Sequence, residues 1–185
     1  MPCTPEVARP ILPKRWSDLV TVTVSFGHGM SVSPLATAMA ACAVMNGGTL
    51  LPPTFFPRTE DQAKLVGKRV MKQSTSDQMR YLMRLNVVAP GGSGKSANIP
   101  GYRVGGKTGT AEKVVNGRYS ANKRFNAFVA TFPIDDPKYL VLITLDEPNP
   151  ERPGLPATAG MNAAPTAANV IGRIAPLLDV EPRFD

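Results

Sequence analysis

The chain has 185 residues, 43% hydrophobic and 19% charged, with 21 Lys and Arg against 14 Asp and Glu and a formal net charge of +7. This is ordinary composition for one globular domain, which at this length buries roughly 70% of its unfolded surface. No run of about 18 apolar residues occurs, so no membrane-spanning helix is expected in this stretch, and a single histidine with two cysteines excludes a two-histidine metal site and a disulfide framework.

Residues 1–20 carry Pro2, Pro5, Pro10 and Pro13 and read as an extended arm ending at Lys14-Arg15-Trp16, with Trp16 as a packing residue. Met1 is followed by Pro2, Cys3, Thr4 and Pro5, which is not the basic-then-apolar order of a signal peptide. Thr21-Val22-Thr23-Val24 alternates like a short strand and leads into the loop Ser25-Phe26-Gly27-His28-Gly29. Ser33-Pro34 pairs a good N-cap with proline at the first helical position. The helix it opens carries Leu35, Met39, Cys42 and Met45 on one face and stops at Asn46-Gly47-Gly48. Cys42 reads there as a small core residue.

Residues 49–74 are mixed, with Pro52-Pro53 and Pro57 marking a loop or edge segment. Lys64, Lys68, Arg69 and Lys72 form one modest basic cluster without interleaved aromatics, so it reads as solvated surface and no nucleic-acid partner is expected. A second helix is predicted from Thr75, with Gln78 as its capping-box partner and Met79, Leu82 and Met83 as an apolar stripe. Pro90-Gly91-Gly92-Ser93-Gly94 breaks it.

From residue 102 the hydrophobic period changes from 3.6 to 2. Tyr102–Val115 reads as a strand, Asn116-Gly117 as a two-residue hairpin turn, and Arg118–Phe132 as the returning strand with some irregularity near Ser120. Pro133-Ile134-Asp135-Asp136-Pro137 is a second turn, and the nearly unbroken apolar run Tyr139–Leu145 is a strand covered on both faces. After a Pro- and Gly-rich loop (148–160), a last helix shows Val170, Ile171, Ile174, Leu177 and Leu178, with Pro176 ending or kinking it. Three antiparallel strands with a helix packed on one face give an α+β class.

The chemistry centres on Gly105-Gly106-Lys107-Thr108-Gly109-Thr110-Ala111. Lys107 supplies a fixed charge, Thr108 and Thr110 supply hydroxyls, and Gly109 leaves room for a second backbone. Such an edge suits an extended peptide added as a strand and a terminal carboxylate captured beside it.

Several short matches mislead. Gly94-Lys95-Ser96 resembles the end of a phosphate-binding loop, but Ala89 stands where the first glycine is required. His28 reads as a loop histidine, since Ser25 and Ser31 lack a Gly-x-Ser-x-Gly setting. Ser120-Ala121-Asn122-Lys123 fits Ser-x-x-Lys, yet on a strand residues three apart point to opposite faces. Ser96-Ala97-Asn98 fits Ser-x-Asn in a glycine-rich loop and reads as chance.

Taken together, Ser25-Phe26-Gly27-His28-Gly29-Met30-Ser31-Val32-Ser33-Pro34-Leu35, the Lys-Thr-Gly-Thr strand, Asn116-Gly117-Arg118-Tyr119 and Asp146-Glu147-Pro148 resemble the C-terminal part of a class B penicillin-binding protein transpeptidase domain, septal type. Arg9-Pro10-Ile11-Leu12-Pro13-Lys14-Arg15-Trp16 fits the same pattern, so the resemblance covers nearly all of residues 1–185. It implies an antiparallel sheet packed with helices and a serine-type D,D-transpeptidase that cross-links peptidoglycan stem peptides at their D-Ala-D-Ala ends and is acylated by β-lactams. It implies catalytic roles for Lys107 and Thr110, the latter through an oxyanion-hole N–H, and substrate binding by Lys107, Thr108, Gly109 and Thr110. No metal or cofactor is implied. The family's nucleophilic serine precedes the Ser-Phe-Gly-His-Gly segment, so no residue of this chain takes that role and the chain by itself is expected to be inactive. Division proteins, and the remaining part of the domain or another chain, are the implied partners, at the periplasmic face of the membrane. A β-lactam-sensing domain, a class D-like β-lactamase and a purely structural module are the rival readings.

Overall fold

Local chemistry sets the first helices, and not always where alternation suggests. The computed structural model describes residues 7–115, 118–150 and 154–184. Within the expected arm, Ile11 pairs with Ser31 in an isolated antiparallel bridge, and the chain turns helical at α1 (Asp18–Ser25). The strand expected at Thr21–Val24 is therefore part of a helix. Ser17 caps it, and the hydroxyls of Thr21, Thr23 and Ser25 bond back to carbonyls three or four residues earlier, which lets β-branched residues settle into a turn. Trp16 is 58% exposed rather than packed.

Helix α2 (Pro34–Met45) starts as its sequence predicts, with the Ser33 hydroxyl accepting from the Ala36 amide. It ends at Asn46, and Gly47 and Gly48 follow with φ of 89° and 98°, the left-handed region that suits glycine. Its buried residues are Ala43 and Met45; Cys42 is exposed, contrary to the core role expected of it. The mixed segment 49–74 holds a small lobe: β1 (Thr49–Leu50), α3 (Glu60–Val66) and β2 (Lys68–Arg69), with β1 and β2 antiparallel. The capping box lies here, at Thr59 and Gln62, not at Thr75. In the basic cluster, Lys64 pairs with Asp61 and Arg69 donates to the carbonyls of Gly47 and Met71. Helix α4 (Gln73–Val88) begins two residues earlier than predicted and has no side-chain cap. Ser76 takes a different part: buried, it donates to the Val44 carbonyl and accepts from the Gly47 amide, locking α4 to the end of α2.

After a 3-10 turn at Lys95–Ala97, strands β3 (Gly105–Val115), β4 (Arg118–Phe132) and β5 (Tyr139–Asp146) form an antiparallel sheet in that order. Pairing runs from Gly105 opposite Thr131 to Glu112 opposite Arg124, then shifts register so that Lys113 faces Ser120. The expected turn at Asn116-Gly117 lies outside the described residues. Helix α5 (Ala163–Ile174) covers one sheet face; Pro176 starts a 3-10 turn, and Leu177 is exposed rather than apolar stripe.

Phe128, Ala130 and Phe132 of β4 and Val141 and Ile143 of β5 meet Ala163, Ala164, Ala167 and Ile171 of α5. The alanines let the helix lie close to the sheet, and each buried Phe contributes roughly 2–3 kcal/mol. On the other face Leu140 shares a groove with Cys42 and Met45 of α2. Helices thus meet β5 from both sides, which explains its unbroken apolar run.

Candidate active-site edge

Strand β3 is an edge, and its backbone polar groups tell where that edge is closed and where it is open. The Val104 carbonyl accepts from Arg84 at 2.7 Å and the Gly106 carbonyl from Asn86 Nδ2 at 2.9 Å, both side chains of α4. Among the described residues the Thr108 carbonyl accepts only from the Nζ of Lys107, at 2.6 Å. In an antiparallel pair alternate residues turn their N–H and C=O to the same side. Residues 104, 106 and 108 therefore face away from β4, and Thr110 and Glu112 share their parity. Helix α4 closes the edge as far as Gly106, and beyond it the Thr108–Glu112 backbone faces open space among the described residues.

Side chains alternate about that edge. Thr108 and Thr110 lie opposite Phe128 and Asn126, on the α5 side, while Lys107 and Gly109 lie opposite Val129 and Ala127. Lys107 is exposed. Thr108 Oγ1 is 2.7 Å from Ser93 Oγ, and Thr110 Oγ1 accepts from the Ala159 amide at 3.0 Å. Ser93 is tied in turn to Asn86, whose Oδ1 accepts from its amide at 3.1 Å and its hydroxyl at 3.0 Å. Fully buried Asn126 donates from Nδ2 to the Ala157 carbonyl and to Asn162 Oδ1, fastening the loop that carries Ala159.

The three motif glycines differ in what requires them. A Cβ on Gly105 would lie 2.5 Å from Ile134, and one on Gly106 2.5 Å from both the Phe128 ring and the Val129 carbonyl. One on Gly109 would meet only Ala127, at 3.9 Å, an ordinary contact. Packing within the chain demands the first two glycines and not the third.

Thus Lys107, Thr108, Gly109 and Thr110 fall together on one edge, as their sequence predicts. Asn86, Ser93, Ala159 and Asn126 carried no such signal, because they reach the edge from a helix, two separate loops and the neighbouring strand. Beyond the bulge, His28 lies 5.1 Å from the Tyr119 ring and 6.0 Å from that of Phe26. The Gly27–Ser31 loop, Ile11, Tyr119 and Ala111–Lys113 line a cavity of about 430 Å³ that continues the β3 edge. Lys113 bridges Asp146 and Glu147, and Lys123 bridges Glu147. Hydrogen bonds donated to Glu147 and then Asp146 hold the Lys113 ammonium above its usual range, and those received from Lys113 and then Lys123 hold Glu147 below its own. Ser120 and Lys123 both lie on β4, without the helical turn that Ser-x-x-Lys chemistry needs. Ser96 sits in the short 3-10 turn, and Asn98 Oδ1 accepts from Arg84.

The profile of the family described as penicillin binding protein transpeptidase domain matches residues 4–172. The chain belongs to this family. It is similar to a probable peptidoglycan D,D-transpeptidase FtsI of Caulobacter vibrioides, 45% identical over 185 residues, covering 95% of this chain and 31% of that protein. It is also similar to stage V sporulation protein D of Bacillus subtilis, 38% identical over 179 residues, covering 92% of this chain and 27% of that protein. Among solved structures, the transpeptidase domain of Burkholderia pseudomallei penicillin-binding protein 3 superposes with a TM-score of 0.81 at 32% identity, covering 93% of this chain and 50% of that one. Penicillin-binding protein 3 of Mycobacterium tuberculosis, solved with ampicillin, gives 0.80 at 26%, covering 96% of this chain and 42% of that one. The chain therefore spans half of that solved domain and less than a third of these curated relatives.

Proposed function

We propose that the β3 edge is the substrate-docking wall of a serine-type peptidoglycan D,D-transpeptidase, working with a nucleophile carried outside residues 1–185. The observation that carries this reading is the backbone edge left open from Thr108 to Glu112, beside a lysine and a glycine that internal packing does not require. An extended stem peptide ending in D-Ala-D-Ala adds there as a strand. Thr108 and Thr110 face its carboxylate end, Lys107 holds positive potential and assists proton transfer, and Gly109 admits the incoming backbone. The Thr110 N–H points out of the sheet and serves as an oxyanion-hole donor, a contact whose loss costs roughly 3–4 kcal/mol of transition-state stabilisation. β-Lactams take the same place, in keeping with the ampicillin-bound Mycobacterium tuberculosis relative. The name of the Caulobacter vibrioides relative, a probable peptidoglycan D,D-transpeptidase, supports the substrate class; work in cell division at the outer face of the membrane, with division proteins as partners, is part of the same proposal.

Fluorescent penicillin tests this reading. The 185-residue chain alone takes no covalent label; joined to the preceding half of a relative's transpeptidase domain it does, and Lys107→Ala abolishes the labelling. Label on the isolated chain at Ser120, or undiminished labelling of the Lys107→Ala chimera, would overturn it.

A further inference from the structure

Asn126 is a buried amide of which one half is idle. It stands opposite Thr110 in the β3–β4 register and is fully buried on the α5 side of the sheet. Both Nδ2 hydrogens are used, one toward the Ala157 carbonyl at 2.9 Å and one toward Asn162 Oδ1 at 3.0 Å. Asn162 Oδ1 also accepts from the Ala163 amide at 2.7 Å, which identifies it as the oxygen. The Asn126 amide therefore has one orientation, since turned over its own oxygen would meet two acceptors. In that orientation Asn126 Oδ1 has no donor among the described residues. A buried oxygen without a donor keeps its desolvation cost, which an apolar side chain of similar size would avoid. The oxygen is tolerated for the sake of the two donors beside it.

Those donors hold the two ends of one short segment, residues 157–162, and the middle of that segment sits on β3. Ala159 gives its amide to Thr110 Oγ1 at 3.0 Å, and Gly160 passes so near Ser93 that a Cβ there would lie 2.5 Å from the Ser93 carbonyl. Asn162 is also the N-cap of α5, so one side chain ties the segment to the sheet and to the helix together. We infer that Asn126, acting through Asn162 and Ala157, is a positioning residue of the transpeptidase reaction: it seats the 157–162 segment on β3 and so fixes the Thr110 stretch from which the proposed oxyanion-hole amide projects. The inference rests on the role proposed above for that edge and extends it to Asn126 and Asn162, neither of which touches substrate.

Two measurements test it. On the 185-residue chain, amide hydrogen exchange reads the Ala159 N–H directly. Asn126→Leu speeds exchange there about tenfold, the effect of one hydrogen bond lost, while the amides of Val87 in α4 and Ile171 in α5 keep their rates. In the chimera with the preceding half of a relative's transpeptidase domain, the time course of fluorescent-penicillin labelling separates the acylation rate constant from the apparent affinity for the free antibiotic. Asn126→Leu lowers the rate constant about tenfold and leaves the affinity within about twofold. In a Thr110→Val background, where the Ala159 amide has lost its acceptor, Asn126→Leu brings little further loss; losses that multiply would show a merely structural role and overturn the inference. If Asn126→Leu does not fold, Asn162→Ser gives the same two readouts at about threefold, since it keeps a capping oxygen for α5 and withdraws the acceptor that Asn126 reaches. Unchanged exchange at Ala159 overturns the staple, and an unchanged rate constant beside faster exchange overturns its part in the reaction. A parent chimera that takes no label would overturn the docking reading and the catalytic half of the inference with it, whereas exchange at Ala159 still decides the staple.

Discussion

Asn86 Nδ2 donates to the carbonyl of Gly106 at 2.9 Å, one residue before Lys107, so a helix side chain marks where the β3 edge stops being closed. The same amide receives both polar groups of Ser93, which makes Asn86 the joint between α4, the glycine-rich loop and the strand. Asn86→Ala leaves three partners without their bond and lowers stability by roughly 1–3 kcal/mol. Asn86→Asp is at least as damaging, because a carboxylate faces the Gly106 carbonyl. Urea unfolding of the two variants checks this.

Gly106 and Gly109 separate folding from docking. Gly106→Ala drives a methyl into Phe128 and the Val129 carbonyl and costs about 1–3 kcal/mol. Gly109→Ala leaves the unfolding midpoint within about 0.5 kcal/mol of the parent, since its methyl meets only Ala127 at 3.9 Å. It weakens D-Ala-D-Ala peptide binding all the same. A loss of stability equal to that of Gly106→Ala would show that Gly109 serves packing.

Acid sensitivity is expected from Asp135. Burial alone would raise its carboxyl, but its own backbone amide, Arg183 and Arg103 outweigh burial and hold it below the usual aspartate range. A depressed folded value means that the unfolded chain binds the proton more readily. The stabilisation is therefore full above the ordinary value of about 4 and is lost as pH falls through the folded value. Asp135→Asn has a lower Tm than the parent at pH 7, and the gap narrows in acid. A constant gap between pH 7 and pH 3 would exclude this origin.

Although exposed, Cys42 lies in the groove with Met45, Leu51 and Leu140, and partial burial there pushes its thiol above the ordinary range. In a Cys3→Ser background it reacts with a disulfide reagent more slowly than free cysteine at pH 7, and the rate climbs through the alkaline range. A rate that levels off below pH 8 would contradict the upward shift.

Tyr81, Leu82, Leu85 and Val88 of α4 and Leu19, Val22 and Phe26 near α1 are large apolar side chains left exposed. Sedimentation of the isolated chain is expected to show self-association, relieved when the preceding half of a transpeptidase domain is joined to it. A monomer with a cooperative melt would count against covering of these faces by the rest of the fold.

Local rules made α2, the hairpin strands, the apolar β5 and the Lys107–Thr110 edge legible from residue order. Ser33-Pro34 is a cap, Gly47 and Gly48 a stop, and period-2 alternation a strand, each decided within a few residues. The same rules misplaced Thr21–Val24, where side-chain hydroxyls bonded back along the chain outweigh alternation. They also misplaced Cys42, since which face of α2 is covered depends on where the sheet lies. Only the tertiary structure decided that the edge opens at Thr108, that Thr108 meets the Ser93 hydroxyl while Thr110 meets the Ala159 amide, and that Gly109 is spare within the chain. These facts arise from contacts between residues 15 to 49 positions apart. A hydrogen bond depends on distance and direction in space, and residue order fixes neither until the chain has folded.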